Sequence, residues 1–137
     1  MAKKISGGCI CGAIQYECDA DPLLMLNCHC RDCQRASGSA YAAILAAPKA
    51  AVQLRGELHY HGIVGGSGKL IQRGFCPTCG SQVTMKLELL PDVLGLQAAS
   101  LDDPSIYRPA MDVFTSSAQP WDHMDPSLQK YSDGPPL

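Results

Sequence analysis

The chain has 137 residues, 46% of them hydrophobic and 18% charged, with a formal net charge of −2 and eight cysteines. This balance suits one soluble globular domain with a sizeable core, and it gives no general attraction to nucleic acid or to an anionic membrane surface. The longest mostly apolar stretch, residues 41–47, is too short to span a bilayer, and no signal-peptide-like segment follows the N-terminal lysines. The expected location is therefore the cytoplasm, where thiols stay reduced and cysteines serve metal or thiol chemistry rather than disulfides.

Glycine and proline punctuate the chain about every ten residues, and the runs between them are short and rich in β-formers. In chain order, strands are expected over 13–17, 23–28, 40–46, 52–54, 57–61, 70–75, 82–87, 93–98 and 111–114. One short helix is expected at Arg31–Ser37, closed by Gly38, with a terminal turn around 127–130. The closing "SDGPPL" reads as a tail. No composition shift marks a boundary, so the expectation is a single, mainly β domain of antiparallel sheets over 1–137, with its core at about 5–131.

The cysteines fall into three groups, "GGCICG" (Cys9, Cys11), "NCHCRDC" (Cys28, Cys30, Cys33) and "FCPTCG" (Cys76, Cys79), with Cys18 apart. Two thiolates three residues apart around a tight turn can face one ion, and Gly80 allows the positive φ such a turn needs. That pair requires a second one. Cys9 and Cys11, at i and i+2 in an extended segment, share a face, and a slight bend brings their sulfurs to the edge of about 3.8 Å that Zn–S bonds of about 2.3 Å imply. Gly12 mirrors Gly80. Cys9, Cys11, Cys76 and Cys79 are thus expected to form a closed, structural four-sulfur site, with four reduced core cysteines as the alternative. A thioredoxin-like use of "CPTC" lacks its βαβ surroundings.

Cys28, Cys30 and Cys33 repeat the i, i+2 arrangement and add a sulfur in the first helical turn, where the backbone favours a thiolate. His29 lies between two cysteines that share a face, so its ring is expected to point away as a packing or supporting group. Three protein ligands with one open position is the pattern of a catalytic zinc, completed by water or a substrate thiol. A fourth ligand from Cys18, His29, His59, His61 or His123 is the competing expectation.

The combination "GGCICGAIQY", "CHCRDCQRASGSAY", "FCPTCGS", "SLDDP" and "PW" resembles the family of glutathione-dependent formaldehyde-activating enzymes, which also includes centromere protein V, over nearly the whole chain. The resemblance implies a mainly β, Mss4-like fold. It implies two Zn2+ sites, a structural one carried by Cys9, Cys11, Cys76 and Cys79 and a catalytic one carried by Cys28, Cys30 and Cys33. It also implies a carbon–sulfur lyase activity that joins glutathione and formaldehyde as S-hydroxymethylglutathione, with the small-molecule thiol as partner. Arg31, Arg35 or Arg73 could pair with glutathione carboxylates. Two rivals remain: a non-catalytic, zinc-stabilised binding or scaffold module, and a rubredoxin-type iron site for electron transfer. The oligomeric state is left open.

Other features carry plainer expectations. "GIVGGSGKL" departs from a phosphate loop in spacing and lacks the Ser or Thr after lysine, so a hairpin loop is expected. His59 and His61 fit an exposed strand face, and Cys18 a packed core thiol. Asp102 and Asp103 suit a turn before Pro104, and Trp121 an anchor for the C-terminal segment.

Overall fold

The computed structural model describes residues 5–136. Residues 1–4 and 137, the ends of the domain expected over 1–137, lie outside the described residues. In chain order the strands are β1 (Ile5–Gly8), β2 (Gln15–Cys18), β3 (Leu24–Cys28), β4 (Ala42–Pro48), β5 (Val52–Arg55), β6 (His59–Val64), β7 (Leu70–Phe75), β8 (Gln82–Leu87), β9 (Leu90–Gln97), β10 (Met111–Val113) and β11 (Gln129–Lys130). The one α-helix among the described residues, α1 (Arg31–Ser37), ends where Gly38 takes φ 68° and donates its N–H to Gln34 O. That left-handed position suits glycine, which has no Cβ to clash.

The strands form two sheets. A three-stranded sheet has the order β1-β2-β5, and an eight-stranded sheet the order β11-β10-β3-β4-β9-β8-β7-β6. The mainly β class expected from the sequence is the fold observed. Pairing is antiparallel except at one end, where β10 runs parallel to both β3 and β11.

Alternation along the large sheet sends side chains to two separate cores. On one face Leu45, Ala47, Val83, Leu94 and Leu96 pack against Ile5, Ile14, Tyr16 and Cys18 of the small sheet and its hairpin. On the other face Cys28, Cys33, Ala42, Met85 and Val113 gather under α1 and the C-terminal segment, joined by Ile44, Ile71 and Leu87. Each fully buried leucine contributes about 1.5–3 kcal/mol, so the first core holds the two sheets together. The second core underlies the helix.

Several elements depart from the expected boundaries, β2 and β4 each starting two residues later than expected, at Gln15 and Ala42. β1, which ends in paired glycines, is not among the expected strands. Both are required by close packing: a Cβ on Gly7 would stand 2.3 Å from Tyr16 Oη, and one on Gly8 would stand 2.3 Å from Ile14 O. β6 runs past Gly62, which pairs with Gln72, and so starts two residues later and ends three residues later than expected. β9 begins at Leu90 rather than 93, because Pro91 sits beside the register shift at Lys86/Leu87 where no ladder N–H is demanded. The terminal turn at 127–130 closes into β11, whose Gln129 and Lys130 pair with Met111 and Asp112.

Candidate metal centres

The turn between β1 and β2 carries Cys9 and Cys11, and the turn between β7 and β8 carries Cys76 and Cys79. The first belongs to the small sheet and the second to the large one, so the cluster ties the sheets together. All four sulfurs lie within 4.8 Å of one another, with Cys9 Sγ 3.6 Å from Cys11 Sγ and Cys11 Sγ 3.7 Å from Cys76 Sγ. Gly12 and Gly80 take φ of 81° and 79°, which turns the backbone back around the sulfurs. Ile14 N–H donates to Cys9 Sγ at 3.2 Å. The Ser81 hydroxyl lies 3.2 Å from Cys79 Sγ, and with the Ser81 N–H it holds that thiol down to about 5. Four soft donors at tetrahedral-edge spacing, with N–H and O–H groups aimed at the sulfurs, fit a zinc ion.

Cys28 ends β3, Cys30 is the N-cap of α1, and Cys33 stands in its first turn. Their sulfurs form the second convergent group, Cys28 and Cys33 being buried and Cys30 half-buried. Cys33 N–H donates to Cys30 Sγ at 3.3 Å, as an N-cap acceptor should. Arg73 Nη2, from β7, lies 3.6 Å from Cys33 Sγ and donates to it. Three thiols this close share protons. Contact with Cys28 and then Cys33 holds Cys30 down to about 2, aided by the backbone N–H and the Arg73 charge, while contact with Cys30 pushes Cys28 far above the ordinary thiol range. Three convergent sulfurs form a donor set that suits a soft divalent cation. Among the described residues no histidine, carboxylate or further cysteine joins these three sulfurs.

His29 is fully buried and its ring does point away from the sulfurs. Nε2 lies 2.8 Å from Asp112 Oδ1 and Nδ1 lies 2.7 Å from Asp122 Oδ2. Asp112 is itself 1% exposed and also accepts from Asn27 Nδ2 at 3.2 Å and Lys130 Nζ at 2.7 Å. Burial works against this carboxylate, yet the Lys130, His29 and Asn27 donors outweigh it and hold its carboxyl below the usual range. The His29 backbone is pinned as well, its N–H donating to Val113 O at 3.0 Å and its C=O accepting from Gln34 Nε2 at 2.8 Å. The residue between two of the three cysteines is thus clamped from β10, through Asp112, and from the segment between β10 and β11, through Asp122.

Asp112, Asp122 and Lys130 escaped sequence reasoning. A carboxylate in a short strand or loop reads as solvent-facing, and only the parallel pairing of β10 with β3 sets Asp112 opposite Asn27. Arg73 was named with Arg31 and Arg35; the fold gives the three different surroundings, although Arg35 and Arg73 line one cavity. Arg73 is buried against Cys33, Arg35 is exposed, and Arg31 Nη1 donates to Gln34 Oε1.

Of the remaining fourth-ligand candidates, Cys18 is buried in the first core, and His59, His61 and His123 are exposed outside either sulfur group. "GIVGGSGKL" is the β6–β7 hairpin loop, closed by Gly65 N–H to Lys69 O and by Gly68 at φ 81°. Asp103 caps a 3-10 turn at Pro104–Ile106, and Trp121 is 62% exposed. Among the described residues no helix is long and apolar enough to cross a membrane.

Comparison with known proteins agrees with these features. The sequence profile described as "Glutathione-dependent formaldehyde-activating enzyme" matches residues 4–117. No curated protein matches the chain. A crystal structure of a Rhodobacter sphaeroides protein is similar in fold, with a TM-score of 0.59 at 20% identity, covering 92% of this chain and 98% of that one.

Proposed function

Because this chain belongs to the glutathione-dependent formaldehyde-activating enzyme family, we propose that it is a zinc-dependent carbon–sulfur lyase that joins glutathione and formaldehyde as S-hydroxymethylglutathione. The observation that carries this reading is the group formed by Cys28, Cys30 and Cys33, which no fourth protein donor joins among the described residues. In this assignment these three cysteines hold a catalytic zinc, and Cys9, Cys11, Cys76 and Cys79 hold a structural one.

The chemistry a zinc ion supplies in a three-sulfur set is a lowered pKa for a thiol in the remaining position, so that the thiolate forms at neutral pH. The protein's own residues do the rest. The clamp on His29 fixes the chain between Cys28 and Cys30. Arg73 donates to Cys33 Sγ and offsets part of the negative charge that three thiolates gather there. The reaction itself is an addition: the thiolate sulfur bonds to the carbonyl carbon, the C=O π bond breaks, and the resulting alkoxide takes a proton from water. Nothing is oxidised or reduced. Such a site needs reduced cysteines, and the eight free thiols suit work in the cytoplasm.

The test is zinc content together with product formation from glutathione and formaldehyde, measured against the spontaneous reaction. Two zinc ions per chain and a rate above background are expected. A Cys30→Ser protein that keeps the full rate would defeat the catalytic assignment.

A further inference from the structure

β6 is an outer strand of the large sheet, with β7 on one side and no strand on the other. Among the described residues, the main chain of His59–Val64 makes no backbone hydrogen bond beyond its ladder with β7. An open row of N–H and C=O groups is a template for another strand, and natural sheets guard it with short length, charge, proline or a cover. The other outer strands are guarded in this way. β1 is bridged to Leu101 at Gly7, and its Ser6 C=O accepts from Asp102 N–H. β5 has four residues and ends in Arg55, while β11 has two and carries Lys130. β6, "HYHGIV", has six residues and none of these devices. Exposed apolar side chains gather at the same corner: Val64 is 69% exposed, its cross-strand partner Leu70 36%, and Leu89 52%.

The occupant this edge fits is a second copy of the chain. β6 bears no Asp, Glu, Lys or Arg, so it can lie against itself without opposing like charges. A two-fold axis perpendicular to the sheet pairs a strand with itself antiparallel and keeps each face on its own side, so only residues of one face stand opposite each other. With Gly62 on the axis, Tyr60 meets the partner's Val64 and His61 meets the partner's Ile63. That register covers the exposed Val64 with an aromatic ring, a favourable cross-strand combination. It also carries the strand ends past each other, so Glu57 of each copy lies alongside the partner's β6–β7 loop, which leads into Lys69. Both side chains are exposed, and opposite charges therefore meet at both ends of the contact.

We propose that two copies of the chain join through β6 about a two-fold axis at Gly62, continuing the large sheet across the dimer. His61 and Ile63 also line the cavity of about 360 Å³ between α1 and the β6–β8 end of the sheet, so the partner's strand borders that cavity. The contact is independent of the thiol-addition reading and stands or falls without it. One strand pair is a small interface, so the dimer is expected to depend on protein concentration.

Sedimentation velocity of the reduced, zinc-loaded protein, run from about 1 µM to about 500 µM, should show the wild type passing from monomer to dimer. Gly62→Lys and Gly62→Glu each set like charges on the axis and should weaken the dimer at least about tenfold. An equimolar mixture of the two variants, in which opposite charges face each other, should recover a heterodimer. A Cβ at Gly62 meets Leu70 Cδ1 at 3.1 Å, the movable end of a side chain, and Gly62 is not among the positive-φ glycines, so both variants are expected to fold. Val64→Lys provides a second route at a side chain that is already exposed. It brings another ammonium toward the partner's Tyr60, a ring that Lys86 Nζ already covers at 4.1 Å, and should also favour the monomer. Circular dichroism and zinc content confirm that each variant is folded and loaded. A wild type that stays monomeric throughout overturns the inference and leaves the edge to an extended segment of another protein. Variants that dimerise as the wild type does, or a Lys and Glu mixture that stays monomeric, overturn it equally.

Discussion

Replacing Asp112 by asparagine tests whether the buried polar network supports the three-cysteine group. The aspartate side chain is 1% exposed, and its two oxygens accept from His29 at 2.8 Å, Asn27 at 3.2 Å and Lys130 at 2.7 Å. Asparagine keeps the shape and one acceptor oxygen, but it places an NH2 where either the Lys130 ammonium or the His29 ring donates. Two charge-assisted hydrogen bonds of about 1.5–3 kcal/mol each are at stake, and breaking one side of a buried pair costs about 3–5 kcal/mol in comparable cases. Lys130 is 33% exposed, so water recovers part of its loss and the lower end, about 3 kcal/mol, is expected. Urea unfolding of the zinc-loaded protein measures this directly, with the midpoint falling and the slope unchanged. Because His29 sits between Cys28 and Cys30, the metal at those sulfurs should also pass to a chelator about 10–100-fold more readily, as it does when supporting residues around metal ligands are lost. A cost below about 1 kcal/mol, or unchanged metal retention, would refute the idea that this network holds the cysteines in place. Lys130→Met in the Asp112→Asn background should then cost less than in the wild type, since the two changes remove one shared interaction.

Cys79→Ser should remove one metal ion and loosen the β1–β2 hairpin from the large sheet, because the four-sulfur group joins the two; metal analysis with hydrogen exchange at residues 5–18 would detect it. Burial pushes the Tyr16 hydroxyl up to about 12, against the hydrogen bond to Ser100, so the neutral form is favoured in the fold. Its contribution is complete below the ordinary tyrosine value of about 10 and lost as pH rises from there through the folded value, amounting to about 2–3 kcal/mol. Unfolding measured across that range should show a loss of this size that Tyr16→Phe abolishes; an identical alkaline slope in the variant would remove the assignment.

Much of the candidate site is legible in the sequence because its parts are local. The spacings Cys9–Cys11, Cys28–Cys30–Cys33 and Cys76–Cys79 bring sulfurs together through one turn or one helical step, and Gly12, Gly38 and Gly80 mark where the backbone must take positive φ. α1, β7 and β8 follow from the same short-range logic, and their bounds match the expected ones. The strand left out at β1 and the late start expected for β9 share one cause. Glycines and a proline that look like turn residues were admitted by close packing at Tyr16 and by the register shift at Lys86/Leu87.

Contacts between residues distant in the chain lie beyond that logic. His29 and Asp112 are 83 residues apart and Arg73 and Cys33 are 40 apart, so no local period records that they meet. The sequence alone showed which cysteines gather into two groups, because cysteine spacing and turn chemistry act over a few residues. The tertiary structure decided what surrounds them. It inserted β10 parallel to β3, which buried Asp112 against His29, and it folded β7 under α1, which set Arg73 between Cys33 and the cavity. Burial and pairing of charges depend on which strands become neighbours, and that choice belongs to the packing of the whole chain.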